Sequence, residues 1–266
     1  MSTVERVCAA VCALTLGAAP GCAVRPPAVS TAANAPGSGT AAKAPARTGV
    51  LIPLYVPPNR QWDVVIAAKS AHSSVPMVLV VDVADGPGGR RDPHFGRYVE
   101  RAQKAGVVVL GYVDTRRGKI PASQIDNEMQ NWYDFYATDG AFLDHMAPDN
   151  AAYYRAATQY AHAHELWFVM GNPGTNASGD DGPDVINYYQ RRGYPTVAYM
   201  REPAHRQFGK LQWSYVAGAV PFDRTRVAVS AHYVGYLYAT DGREPECYCT
   251  LPTYFDQLVA TLDSLR

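Results

Sequence analysis

The sequence predicts an α/β chain closed into a (β/α)8 barrel, and three observations carry that prediction. Eight apolar runs recur along the chain, most of them separated by stretches with helical periodicity. The runs lack the period-two alternation of half-exposed strands, as expected of parallel strands covered on both faces. The segment that holds them, residues 49–266, has a length at the lower end for such a barrel.

Taken in order, GVLIPLYV (49–56) is the first run, ended by prolines, and a helix follows over 62–71. MVLVVDV (77–83) is the second, closed by ADGPGG. PHFGRYVERAQKAG then reads as a helix stopped by Gly106. VVVLGYV (107–113) is the third run. The pair Ser123 and Asp126 has the spacing of a capping box, and Ile125, Met129, Trp132, Tyr133 and Tyr136 share one face of the helix it would open. GAFLDH (140–145) is the fourth run, a helix spans 150–165, and LWFVMGN (166–172) is the fifth. Residues 184–192 read as helix and TVAYMRE (196–202) as the sixth run. RVAVSAH (226–232) and GYLYATD (235–241) read as the last two, before an amphipathic helix over 254–265. Only Tyr233 and Val234 separate that last pair, so the expected barrel is irregular near strands seven and eight.

The amino-terminal part is not expected to belong to the fold. Arg6 precedes VCAAVCALTLGAA, which is too short to span a bilayer and fits the apolar core of a secretory signal. APGC follows. A small residue before Cys22 resembles the bacterial lipobox, although Ala19 stands where leucine is usual. Residues 1–22 thus read as an export signal with lipidation of Cys22 as its expected end-point. Residues 23–48, rich in Ala, Pro, Ser, Thr and Gly, read as a disordered tether. The plan is that of a secreted or cell-surface lipoprotein whose contact with a membrane runs only through that anchor.

Basic and acidic residues number 24 each, a balance that argues against a bulk electrostatic grip on nucleic acid. Tyr outnumbers Phe by 18 to 7. Tyrosine offers an apolar face and a hydroxyl together, which suits polar ligands with flat apolar faces and equally suits the wet edge of a core. Cys247 and Cys249 lie in ECYCT. An oxidising exterior would allow them to pair, and no second Cys/His cluster has zinc spacing. His94, His162, His164, His205 and His232 likewise show no ligand spacing for a metal-dependent deacetylase.

Active sites of such barrels gather at the carboxyl ends of the strands. The ends read here carry Tyr55, Asp82, Tyr112, Asp114, Asp144, His145, Asn172, Glu202, His232 and Asp241. Any one of them could be a helix cap. So many together are harder to explain that way.

PLYVPPNRQW (53–62), DGPGG (85–89), VLGYVDT (109–115), GAFLDH (140–145), NPGT (172–175), GYLYATDG (235–242) and LPTYF (251–255) occur in order. This series resembles the spherulin-4 family, or spherulation-specific family 4, across essentially the whole folded segment. The resemblance implies a barrel like those of glycoside hydrolases that cut galactosamine-containing polysaccharides, with no cofactor. It further implies an acidic pair ending strand four and a glutamate ending strand six. Asp144 matches the first acid, and His145 stands where the adjacent glutamate usually is. Glu202 matches the strand-six glutamate in position and spacing, with Gln190 a rival alignment that would leave no second carboxylate.

Glycoside hydrolysis asks for two carboxyl groups flanking the bond. Asp144 is therefore expected as nucleophile or charge stabiliser and Glu202 as general acid/base. Tyr55, Tyr112, Tyr199 and Tyr238 are candidates to stack on sugar rings. Asp82, Asp114, His145, Asn172, His232 and Asp241 are candidates to bind hydroxyls. The alternative is a tethered module that binds glycan without cleaving it.

Overall fold

The computed structural model describes residues 47–265 except 180, 203, 204, 206 and 245. The expected signal, the lipidated Cys22 and the tether up to residue 46 lie outside the described residues. Eight parallel strands close in sequence order into a barrel: β1 (Gly49–Pro53), β2 (Met77–Val81), β3 (Val108–Asp114), β4 (Gly140–Asp144), β5 (Phe168–Gly171), β6 (Val185–Arg192), β7 (Trp213–Gly218) and β8 (Tyr236–Ala239). β1 pairs with both β2 and β8, so no edge is left open. The helices are α1 (Arg60–Ala71), α2 (Pro93–Lys104), α3 (Ala122–Tyr136), α4 (Ala151–Ala163), α5 (Val197–Met200), α6 (Arg224–Ser230) and α7 (Phe255–Ser264). No helix among the described residues is long and apolar enough to cross a membrane.

The strands are Val/Ile/Leu-rich because helices cover their outer faces; every residue of β1 and β2 is buried. Helix α2 starts where Asp92 accepts hydrogen bonds from the His94 and Phe95 amides and proline follows at the first helical position. Gly106, at a φ of 89°, then ends the turn. Gly111 in β3 lets α3 approach closely: a β-carbon there would meet the Trp132 ring at 2.3 Å. Trp132 Nε1 donates to the Tyr112 carbonyl at 2.9 Å, which pins α3 beside the outgoing end of β3.

The helix containing Ser123 and Asp126 forms, but without the expected capping box. Its N-cap is Pro121, with no side-chain cap bond, so Ser123 lies inside the first turn. The expected tether also ends earlier than residue 48. Thr48 is buried, and its hydroxyl donates to the Val234 carbonyl at 2.8 Å.

Three assignments after residue 180 change. Residues 184–192, expected as helix, form β6, because VINYYQRR is a β-branched and aromatic run bounded by Pro183 and Gly193. TVAYMRE, expected as strand six, contains α5, started by Thr196 accepting from the Tyr199 amide. RVAVSAH, expected as strand seven, lies in α6 and the turn after it, and Asp223 caps that helix by accepting from the Arg226 amide. The seventh strand is instead WSYVAG, residues 213–218. With a helix before β8, the expected irregularity disappears and the last unit is an ordinary βαβ crossover.

Candidate active site at the carboxyl end of the barrel

Parallel register brings the acids together. β3 and β4 pair so that Asp114 stands beside Asp144, both at the outgoing ends of their strands. The chain then turns sharply, because His145 adopts a φ of 48°, in the left-handed region. Buried Thr115 holds this turn by donating to both the Asp144 and His145 carbonyls, at 2.8 and 3.0 Å. The turn swings the imidazole back over the strand ends. His145 Nδ1 lies 2.9 Å from Asp114 Oδ1 and 3.7 Å from Asp144 Oδ2.

Asp144 is the most enclosed of these carboxyls, its side chain 14% exposed. Burial raises its pKa above the ordinary aspartate value. His145, the His145 backbone N–H, the Asn172 amide and the Tyr112 hydroxyl all favour the ionised form and limit that rise. Asn172, just past β5, donates to Asp144 Oδ1 at 2.6 Å and to Gln190 Oε1 at 2.7 Å. Its own carbonyl oxygen accepts from buried Asn187 at 2.8 Å, which fixes which end of the amide faces Asp144. Ser214 backs Asn187 from β7. Gln190 in turn donates to the Tyr248 hydroxyl at 2.7 Å, and that hydroxyl donates to Glu244 at 2.7 Å. A connected polar network therefore runs from β7 across β6 and β5 to Asp144, with each amide's orientation set by the next.

His145 is pushed up to about 9, first by its hydrogen bond to Asp114 and then by the charges of Asp144 and Asp114, so the imidazole is charged at neutral pH. For Asp114, burial works upward, but the His145 hydrogen bond, the Arg116 N–H at 2.9 Å and the nearby cations outweigh it and hold the carboxyl below its usual value.

Aromatic rings wall one side. Tyr55 packs edge-on against Tyr112 at 5.3 Å between centroids and tilted against Tyr248 at 5.6 Å. Burial, then the charge of Asp144, raises the hydroxyl pKa of both Tyr55 and Tyr112, so both remain neutral donors. Asp82 sits just past β2, where its Oδ1 accepts from the Gly86 amide at 2.8 Å and shapes the loop after the strand.

Other expected site residues lie outside the hydrogen-bond network around Asp144. Glu202 does not end a strand. It follows α5, with its Oε2 accepting from Asn176 at 2.5 Å on the loop after β5, while Gln190 occupies the outgoing half of β6. Tyr199 donates its hydroxyl to the Tyr188 carbonyl and stacks on that ring at 5.4 Å, so one of its faces is covered. Tyr238 is fully buried in β8 and presents no face to a ligand. His232 follows α6 and precedes β8, which puts it at the opposite end of the barrel. Asp241 accepts from the backbone and hydroxyl of Thr253, tying the β8–α7 loop. Cys247 is free and buried, and Cys249 is disulfide-bonded, so the expected Cys247–Cys249 pair does not form. A ring closed over a single intervening residue would be strained.

Asn187, Tyr248 and Glu244 were not found from the sequence. The β-branched and aromatic run VINYY offers a signal that Asn187 lies in a strand, but none for its place in the site. Tyr248 and Glu244 lie in a loop with no spacing that marks them. Among the described residues, no group of three or more His, Cys, Asp and Glu side chains is placed to hold a metal ion.

The family model for spherulation-specific family 4 matches residues 49–262, the whole barrel. The chain belongs to that family. It is 24% identical over 238 residues to Spherulin-4 of Physarum polycephalum, covering 82% of this chain and 70% of that protein. Among solved structures, Aspergillus clavatus Sph3 in complex with GalNAc superposes with a TM-score of 0.69 at 20% identity, over 83% of this chain and 99% of that one. The Bacillus cereus spore cortex-lytic enzyme SleL superposes with a TM-score of 0.52 at 7% identity, over 83% of this chain and 76% of that one. At such identities the two structures speak for the barrel alone.

Proposed function

We propose that this family member is an exported glycoside hydrolase that cleaves an amino-sugar polysaccharide of the galactosamine type at the carboxyl end of its barrel. The observation that carries the reading is Asp144: a desolvated carboxyl at a strand end, aimed by Asn172 and Tyr112 and faced by a charged imidazole. The likeness to a barrel crystallised with GalNAc supports the choice of sugar.

In this reading Asp144 acts as the carboxylate that meets positive charge developing at the anomeric carbon, either directly as nucleophile or by stabilising it. The donors around it favour the ionised form and oppose the effect of its burial. Glu202, on the rim beside Asn176, is the carboxyl offered as general acid to the leaving oxygen. Tyr55 supplies an apolar edge and a neutral hydroxyl beside the sugar. His145 stands where the family pattern has a second acid, and as a cation it lowers the pKa of Asp144.

One observation favours a second reading. Gln190, an amide, occupies β6 within the Asp144 network, so a carboxylate is lacking at that position. This suits a tethered module that binds the same glycan without cutting it.

The test is product release from partly deacetylated galactosamine polymers by the protein and by its Asp144→Asn, Glu202→Gln and Gln190→Glu variants. Cleavage by the parent that is lost in the first two variants supports the hydrolase. Binding without cleavage by the parent, with cleavage gained on Gln190→Glu, supports the binder. Neither binding nor cleavage would refute both.

A further inference from the structure

Beside the site an open cleft of about 400 Å³ runs between the β2–α2 loop and α3. Its loop wall is the glycine-rich segment from Asp85, and its helix wall carries Gln124, Asn127, Glu128 and Asn131. Those four positions recur at helical spacing, so they share one face of α3. We propose that this cleft is an additional saccharide subsite that takes a neutral, hydroxyl- or acetamido-bearing sugar unit next to the one held at Asp144; the inference rests on the reading of the barrel mouth given above.

The lining chemistry selects the ligand class. Each amide side chain carries both donors and acceptors, as a sugar hydroxyl does, and three of them converge on one face. No lysine or arginine lines the cleft, while Asp85 does, so a phosphate or carboxylate ligand would be repelled. The volume falls in the range of small-ligand sites.

The wall is also built to stay in place. Asp85 and Gly86 adopt φ values of 56° and 131°, and Asp82 clamps the Gly86 amide. Glu128 Oε1 is buried without a hydrogen-bond partner, pressed against Gly86 so closely that a β-carbon on the glycine would come within 2.8 Å. Burial, followed by the charges of Asp85, Asp114 and Asp82, lifts the Glu128 pKa to about 8, so at neutral pH the group is mainly a protonated, uncharged donor. These charges tie the cleft to the mouth: Asp114 is the partner of His145, and Asp85 also acts on Tyr112.

The test is calorimetric titration of the full chain with N-acetylgalactosamine and with its dimer, tetramer and hexamer. The comparison is an Asn127→Ala/Asn131→Ala double variant, which puts the best helix former at one exposed and one half-buried position of α3. The subsite predicts tighter binding with chain length in the parent, and an approximately tenfold loss for the hexamer in the variant, as expected for two lost hydrogen bonds. Monosaccharide affinity should stay unchanged. A parent that binds monomer and hexamer equally, or a variant that keeps the full gain, overturns the subsite and leaves the mouth reading standing. A variant equally weakened toward every length also overturns it. A parent that binds none of these sugars overturns the mouth reading and the subsite with it.

Discussion

Asp114 and Asp144 are register partners at the outgoing ends of β3 and β4, and the His145 imidazole bridges them, 2.9 Å from one carboxylate and 3.7 Å from the other. Two adjacent acids would repel if both were ionised. The bridging cation removes that conflict and gives the site a pH dependence that depends on His145.

Replacing His145 with Gln is expected to move the acidic limb of activity to higher pH. Asp144 must be ionised to act, its pKa is already raised by burial, and His145 is the leading influence holding it down. Losing that cation lets the pKa rise further, by about one unit if the lost interaction is worth about 1.4 kcal/mol. The wild-type loss of activity as His145 deprotonates near pH 9 should vanish in the same variant. A pH profile of kcat/KM checks both limbs. In folding, a raised histidine pKa contributes stability that is fully present below about pH 6.5 and is lost as pH climbs through the folded value. With the His145 side chain 58% exposed, that contribution stays below about 1 kcal/mol.

Asn172→Ala removes the donor to Asp144 Oδ1 and strands the partner atoms on Asn187 and Gln190. Hydrogen bonds to charged groups are worth about 1.5–3 kcal/mol, which corresponds to a loss of roughly 10- to 100-fold in kcat/KM. Asn172→Asp should be worse, since it replaces a donor by a second negative charge. Kinetics beside a thermal melt separates this loss from simple unfolding.

Glu128→Gln is expected to stabilise the protein above neutral pH. The folded state holds a proton on Glu128 up to about pH 8 that the unfolded chain releases near pH 4.5. Stability from this group therefore falls as pH rises between those values. An amide has no proton to lose. The variant should gain on the order of 1–2 kcal/mol near pH 8, less than the full single-site value because part of the side chain remains exposed, and nothing near pH 4. Denaturant melts at the two pH values read the difference.

Gly111→Ala drives a β-carbon into the Trp132 ring, and the ring is held by its bond to the Tyr112 carbonyl. Overpacking of this kind costs about 1–3 kcal/mol. For a chain of this size each kcal/mol lowers Tm by roughly 2–4 °C. Calorimetry should show the loss, and a Gly111→Ala melt equal to the parent would mean that α3 moves aside freely.

Cys247 should react with iodoacetamide only after denaturation. It is buried, and burial followed by the charge of Glu244 pushes its thiol up to about 12, so little thiolate is present in the fold. Mass spectrometry of native and unfolded samples gives the answer directly. Labelling of the native protein would place the thiol at the surface.

The sequence by itself determined the barrel and the first five strands, because short, almost wholly apolar runs ending in Gly, Pro, Asn or Asp suit strands buried on both faces. It also determined that Asp144 ends one of those strands and that polar residues gather at the same end. Local signals were weaker after residue 180. VINYYQRR and RVAVSAH each carry four apolar or aromatic positions mixed with polar ones, and short runs of that kind fit helix and strand alike. Closure of the barrel settled them: β6 had to pair with β5 and β7, and α6 had to return the chain to start β8 in parallel. The same closure exchanged Glu202 for Gln190 at the end of the sixth strand. Tertiary structure alone decided that Asp114 and His145 share a hydrogen bond, that Asn172 is aimed from Asn187, and that Tyr248 reaches Gln190 from a loop 58 residues away. Those relations depend on register and on one left-handed turn at His145, and neither is written in residue spacing.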